Sequence, residues 1–191
     1  MSKKILIVNA NPKTESLCKA LSEKYAEVAG ERNDVRILHL NELDFQIDLK
    51  EGYDEVIPLE WSLEFFQKEL TWAEHVVIVS PVWWGSMLTK FKGLIDRTFL
   101  SGFAFKYVKG KTIPKKLLKG RTSEMIITMD TPPFWYKWMQ GNVIYHQLKE
   151  TILSFAGIKN VSKQYFGPVI SASEKQVQKW FIQTEKLARK H

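Results

Sequence analysis

Three short stretches of this 191-residue chain gather the groups that could do chemistry. The first, Asn9-Ala10-Asn11-Pro12-Lys13-Thr14-Glu15-Ser16, is polar and runs into a helical pattern that continues through Leu17 and Cys18. A loop of this kind aims backbone N–H groups and the positive end of a helix dipole at one point, which suits a phosphate; the plainer reading is that Ser16 only caps the helix. The second stretch is Pro81-Val82-Trp83-Trp84-Gly85, and the third runs from Thr128-Met129-Asp130-Thr131-Pro132-Pro133 into Phe134, Trp135 and Tyr136. Both set aromatic rings beside free backbone donors, the composition of a slot for a flat ring. No Gly-x-Gly-x-x-Gly is present, so a Rossmann dinucleotide site is not supported. The single cysteine, Cys18, makes neither an internal disulfide nor a thiolate metal site, and no metal site is expected.

Each stretch follows an apolar run of strand length. Lys4–Asn9 and Thr122–Met129 read as strands, and His75–Ser80 reads as the middle strand of a parallel sheet, since a strand buried on both faces is continuously apolar. Asp34–Leu40 and Val161–Phe166 supply two more. Between them, helical periodicity is expected from Ser16 to Gly30, Glu60 to Trp72, Ser86 to Phe99, Gly141 to Phe155 and Ser173 to Arg189. Strands alternating with helices predict a single α/β domain over residues 1–191, a doubly wound five-stranded parallel sheet with helices on both faces.

The second stretch carries a specific likeness. Ser80-Pro81-Val82-Trp83-Trp84-Gly85, then Lys92-Gly93-Leu94-Ile95-Asp96-Arg97-Thr98-Phe99 and Gly102-Phe103-Ala104-Phe105, resembles the flavin loop and following helix of the flavodoxin-like NAD(P)H:quinone oxidoreductases. The resemblance covers Ile5 to about Gly167. It implies the sheet order 2-1-3-4-5, which makes the first, third and fourth strands neighbours and brings the three loops together. It further implies FMN or FAD as cofactor, with Asn11, Ser16, Leu17 and Cys18 around the phosphate and Pro81, Val82, Trp83, Trp84, Gly85, Thr128 and Asp130 around the ring. Ala10-Asn11-Pro12 stands where Ala-His-Pro is usual, and Cys18 stands where the FAD enzymes commonly have Asn, which favours FMN. The implied reaction passes a hydride from NADH or NADPH to the flavin and on to a quinone or similar flat acceptor, in ping-pong order. The family's usual Thr-Thr-Gly-Gly and its Tyr and His are replaced here, leaving Tyr136 and Asp130 as the catalytic candidates, with solvent as the other proton source. A homodimer is implied as well, with Trp61 and Gly102–Phe105 as contacts or as core.

Composition sets limits on these readings. Hydrophobic residues make up 45% and charged residues 26%, a globular balance, and no run approaches the roughly 20 apolar residues of a membrane span. A cytoplasmic location is therefore expected, without membrane insertion. Net charge is +7, yet seven bases and no acid fall between Lys106 and Arg121, so the rest of the chain is neutral. One basic loop on a neutral body argues against a nucleic-acid surface and fits either a solvated connection or an attractor for a phosphorylated ligand. Two further readings stay open: an electron-carrying flavodoxin, which the basic charge disfavours, and a flavin-bearing accessory subunit that regulates a membrane partner.

Overall fold

A computed structural model describes residues 2–55 and 57–191. Five strands, β1 (Lys4–Asn9), β2 (Asp34–His39), β3 (His75–Pro81), β6 (Thr122–Thr128) and β7 (Lys159–Phe166), form one parallel sheet in the order β2-β1-β3-β6-β7. This is the expected order, with β3 in the centre and every one of its residues buried. Two strands too short to be read from periodicity, β4 (Phe105–Lys106) and β5 (Lys115–Lys116), pair antiparallel within the basic stretch.

Alternate residues of the strands feed two cores. Ile5, Ile7, Val77, Val79 and Ile126 pack under α1 (Leu17–Gly30) and α7 (Glu174–Ala188). Leu6, Val8, Val76, Ile78, Met125 and Ile127 pack under α2 (Trp61–Trp72), α3 (Thr89–Thr98) and the helical stretch that follows β6. Each fully buried Ile, Leu or Val of this kind contributes about 1.5–3 kcal/mol over its exposed state, so the two layers hold the sheet between them. Among the described residues no helix is long and apolar enough to cross a membrane.

Several boundaries differ from the sequence reading, each for a local reason. Helix α3 starts at Thr89 rather than Ser86, because Trp83 and Ser86 pair in a small hairpin first. Helix α1 ends at Gly30 as its periodicity predicts, and Glu31 caps it in ordinary helical backbone. The stretch expected as one helix from Gly141 is α5 (Val143–His146), a π-helical segment (Gln147–Leu153) and α6 (Ser154–Ala156), closed by Gly157 at φ +105. The aromatic run after Pro132 folds as a short helix, α4 (Pro133–Trp138), with proline in its first turn where a missing N–H costs nothing.

The long connection between β2 and α2 is fastened by one cation. Arg97 of α3, 2% exposed, donates to Gln46 O at 2.6 Å and to Glu60 Oε2 at 2.7 Å. Gly93 lets the same connection press close, since a Cβ there would stand 2.5 Å from Ile47 Cγ2. Trp72 is partly buried beneath Arg36, whose guanidinium lies 3.9 Å over its ring, while Trp61 is exposed and stacks on Phe65 at 5.2 Å. Of Gly102–Phe105, Ala104 is buried, and Phe103 and Phe105 pack against the core.

Candidate functional site

The three loops meet at the carboxyl end of the sheet. The first is wound by two side-chain turns: Asn9 Oδ1 accepts from Asn11 N at 3.2 Å, and Asn11 Oδ1 accepts from Lys13 N at 3.0 Å. Ala10 N donates to Val79 O at 2.8 Å and ties the loop to β3. Ser16 then caps α1, its Oγ accepting from Lys19 N at 3.1 Å. That leaves the first-turn amides of Leu17 and Cys18 with no partner inside the helix, pointing out of its positive end. Capping and anion binding are thus compatible, because the cap uses a different amide.

The second loop is a two-residue hairpin. Trp83 N donates to Ser86 O at 3.3 Å and Ser86 N returns to Trp83 O at 3.1 Å, so Trp84 and Gly85 form the turn, with φ of +50 and +77. Positive φ at both centre positions is the type of turn that follows strand twist and usually carries Asn-Gly. A tryptophan there is uncommon and costs roughly 1–2 kcal/mol of backbone strain. Trp84 is nonetheless fully exposed and Trp83 half-exposed, so no packing within the chain offsets that strain. The N–H groups of Trp84 and Gly85 donate to nothing among the described residues, whereas that of Trp83, expected to be free, is used by the hairpin.

The third loop is held from the far edge of the sheet. Met129 N donates to Phe166 O at 2.9 Å, Val169 N to Met129 O at 3.0 Å, and Ile170 N to Asp130 Oδ1 at 2.9 Å. Gly167 permits this approach, as a Cβ there would lie 2.6 Å from Met129 O. Asp130 is exposed.

Two adjoining cavities lie between the loops. The smaller, about 210 Å³, is lined by Asn11, Ser16, Leu17, Cys18, Pro81 and Thr128, and also by Lys13, which the sequence reading passed over. The larger, about 760 Å³, lies against Trp84 and Gly85 and reaches Thr131, Gln140 and Val143. Val82, Trp83, Met129 and Asp130 line both. Every residue named from sequence as a binding candidate therefore lines one cavity or the other, and the combined space suits a ligand with a flat body and a short tail.

Cys18 is the floor of the smaller cavity. Its Sγ lies 3.2 Å from Thr128 Oγ1, and burial pushes the thiol up to about 11, with the hydrogen bonds from Thr128 and Asn11 offsetting only part of that. It is a neutral packing group at physiological pH. Tyr136 faces neither cavity. It is fully buried; its hydroxyl donates to Gly85 O at 3.1 Å and accepts from Ile144 N at 3.0 Å, and burial raises its pKa. The phenol thus braces the Trp84–Gly85 turn from behind. Gln140, Val143, Lys13 and Val169 join the lining without having been singled out. A cation in a phosphate-type loop was a signal for Lys13; the others depend on how the loops fold back.

The basic stretch belongs elsewhere. Leu117 N donates to Ala104 O at 3.0 Å and Leu118 N to Ala156 O at 2.9 Å; Lys116 Nζ is bonded to Ser154 O, and Arg121 holds Leu70 O and Thr71 O. These partners sit where helices end and strands begin, at the amino end of the sheet, and none of the seven basic residues lines the two cavities.

Convergent loops at the switch point of a doubly wound sheet are the place where open α/β sheets bind ligands. The chain belongs to the family described by the flavodoxin-like fold, whose model matches residues 3–187. It is 25% identical over 175 residues to an uncharacterized NAD(P)H oxidoreductase of Haemophilus influenzae, covering 86% of this chain and 83% of that one. Among solved structures, a putative quinone reductase from Klebsiella pneumoniae superposes with a TM-score of 0.84 at 19% identity, over 97% of this chain and 83% of the other. An FMN-dependent NADH-azoreductase from Bacillus anthracis, in complex with FMN, superposes with a TM-score of 0.71 at 21% identity, over 100% and 99%.

Proposed function

We propose that this protein is a flavin-dependent NAD(P)H oxidoreductase acting on a quinone or similar flat acceptor. The observation that carries the reading is the Trp84–Gly85 turn: two open amides and an exposed ring, kept in left-handed backbone at the mouth of a cavity that continues to the open end of α1. Strain retained without internal compensation is the mark of a ligand-directed loop. The names of the Haemophilus relative and the Bacillus azoreductase support the cosubstrate and the cofactor.

FMN fits the donor set. Leu17 and Cys18 amides, Asn11, Ser16 and Lys13 would hold its phosphate; Pro81–Gly85, Thr128 and Asp130 would frame its ring, with FAD as the alternative. When bound, FMN supplies the two-electron hydride chemistry that links NADH or NADPH to the acceptor in ping-pong order. The chain supplies the rest. The Trp84 and Gly85 amides are fixed donors for negative charge at the rim of the ring, and fixed donors cost no reorganisation when charge appears. Tyr136 acts as a positioning residue through Gly85, and Asp130, open to water, is the carboxylate left to exchange protons with solvent. Trp61 stacked on Phe65 offers an apolar patch for the homodimer.

The decisive experiment is the visible spectrum of the purified protein, with mass analysis of what heat releases, followed by anaerobic mixing with NADH or NADPH and then a quinone. A yellow protein that bleaches and recovers supports the enzyme. A protein that takes up neither FMN nor FAD overturns it, and one that binds flavin but is not bleached is a carrier.

A further inference from the structure

At the amino end of the sheet, on the face covered by α1 and α7, three side chains far apart in sequence converge without bonding to one another. His75 is the first residue of β3 and Glu124 the third of β6; the register pairs His75 with Thr122 and Val77 with Glu124, so both side chains fall on the same face. His191 follows α7 and closes over them. His75 Nε2 stands 3.9 Å and His191 Nε2 3.8 Å from Glu124 Oε1, and the two imidazoles face each other at 4.0 Å between centroids. One donor atom from each residue lies within 4.8 Å of the others.

We propose that His75, Glu124 and His191 form a binding site for one divalent ion of the zinc class.

The geometry fits neither of the two plain alternatives. A direct imidazolium–carboxylate pair closes to about 2.7–2.9 Å, and these contacts are an ångström longer. A self-satisfied polar core leaves no free groups, yet His75 Nε2 and both Glu124 oxygens are buried without a hydrogen-bond partner. A buried carboxylate in that condition costs several kcal/mol unless a cation is added. Donors sharing a zinc ion at about 2.0–2.2 Å stand roughly 3.4 Å apart in tetrahedral geometry, so each histidine Nε2 has to approach Glu124 Oε1 by roughly half an ångström and the two facing imidazoles have to splay apart to complete the site.

The ligand set selects the ion. Two imidazole nitrogens and one carboxylate suit Zn²⁺ and its neighbours, whereas Mg²⁺ and Ca²⁺ require oxygen donors. His75 Nδ1 is already engaged by Thr122 Oγ1 at 2.7 Å, which orients the ring and presents Nε2 to the ion, as ligating histidines usually are. The Tyr25 hydroxyl, also without a partner, stands beside the same carboxylate. His75 and Glu124 are sealed, while the His191 side chain is 10% exposed and gives access from solvent. The site is distinct from the cavities: Thr128 lies four positions beyond Glu124 on β6, about 13 Å along the strand. An ion there would pin the segment after α7 to the central strands, a structural clasp that does not depend on the flavin reading.

The test is titration of the chelator-treated full chain with Zn²⁺, read by calorimetry and thermal unfolding. One equivalent should bind with a Kd of about 1 μM or tighter and raise Tm, with no response to Mg²⁺. His191→Ala, at a position after α7 and outside the sheet that should leave folding intact, should weaken binding by at least about tenfold, and Glu124→Gln should do the same. His146→Ala, a surface histidine, should change nothing. No stoichiometric binding, binding that survives His191→Ala, or equal loss in His146→Ala each overturns the site.

Discussion

At the carboxyl end of β1, β3 and β6 the groups left free to bond are backbone amides of short loops open to solvent; at the amino end of β3 and β6 they are side-chain atoms sealed beneath α1 and α7. The first arrangement tolerates an empty site, because water can serve an exposed amide. The second does not, because a buried carboxylate has no such substitute. The same parallel sheet thus presents a site that can load and unload a ligand at one end and one suited to keeping an ion at the other. Strain is divided in the same way: Trp84 holds a left-handed backbone conformation at the open end, while the sealed end stores its cost in unpaired polar atoms.

The sharpest way to break the contrast is at Trp84. Trp84→Gly should relieve the positive-φ strain and raise the stability of the flavin-free chain by up to about 1 kcal/mol, since glycine adopts that backbone freely. It should also remove an aromatic platform, raising the Kd for FMN roughly thirtyfold, on the scale of ring stacking. Chemical denaturation and fluorescence titration measure the two effects, and a loss of stability together with the loss of affinity would mean the strain serves the fold instead of a ligand. Trp72→Ala supplies the control: it loses packing against Arg36 and should cost stability while FMN affinity stays within twofold. Next in size is Tyr136→Phe, which leaves Gly85 O without its donor and Ile144 N without its acceptor. About 2 kcal/mol of stability should be lost. Turnover should fall without a change in the shape of its pH profile, because the hydroxyl reaches only backbone; a lost ionisation in that profile would restore Tyr136 as a proton donor.

Sequence alone made the open end legible and the sealed end invisible. Continuous β-branched runs such as His75–Ser80 announce buried parallel strands, and proline or a polar cluster after each run marks a loop at the carboxyl end. Local pattern is enough for that, whereas Asn11, Ser16, Trp83, Trp84 and Asp130, which line the cavities, were named through the family resemblance. The resemblance offered Tyr136 as a proton-transfer candidate, and the bonds of its hydroxyl to Gly85 O, 51 residues away, and to Ile144 N are not legible in the sequence around it. The π-helical segment gave no signal, since its apolar spacing is close to that of an α-helix. His75, Glu124 and His191 looked like a strand residue, a strand residue and a tail residue. Only the register of β3 against β6 and the docking of α7 bring them together, and neither is written in any local window.

A smaller effect is expected from Cys18. Burial holds its thiol neutral up to about 11, above its value in the unfolded chain, so its contribution to stability is complete below the unfolded pKa and is lost as pH rises toward the folded one. At pH 10 the wild type should have lost about 1 kcal/mol that Cys18→Ala does not lose. The difference between the two denaturation curves as pH is raised isolates it from other titrating groups. Parallel curves would place the thiol in contact with solvent, and the floor of the smaller cavity would then be open.

The smallest effect is the most useful for separating the two ends. Lys109 and Lys111 carry much of the positive field of the basic stretch and line neither cavity. If that field guided a phosphorylated cosubstrate, Lys109→Glu with Lys111→Glu would reverse four charges' worth of local potential and raise KM severalfold, more strongly at low salt. The basic stretch is anchored at the amino end of the sheet through Leu118 and Arg121, and strands of six or seven residues separate that end from the loops after β1, β3 and β6, about 20 Å against a screening length of about 10 Å. KM for NADH and NADPH should therefore stay within about twofold at 0.1 M salt. A severalfold rise that salt suppresses would show that the two ends act on one ligand, as they would if a second copy of the chain brought its basic stretch across to the open end.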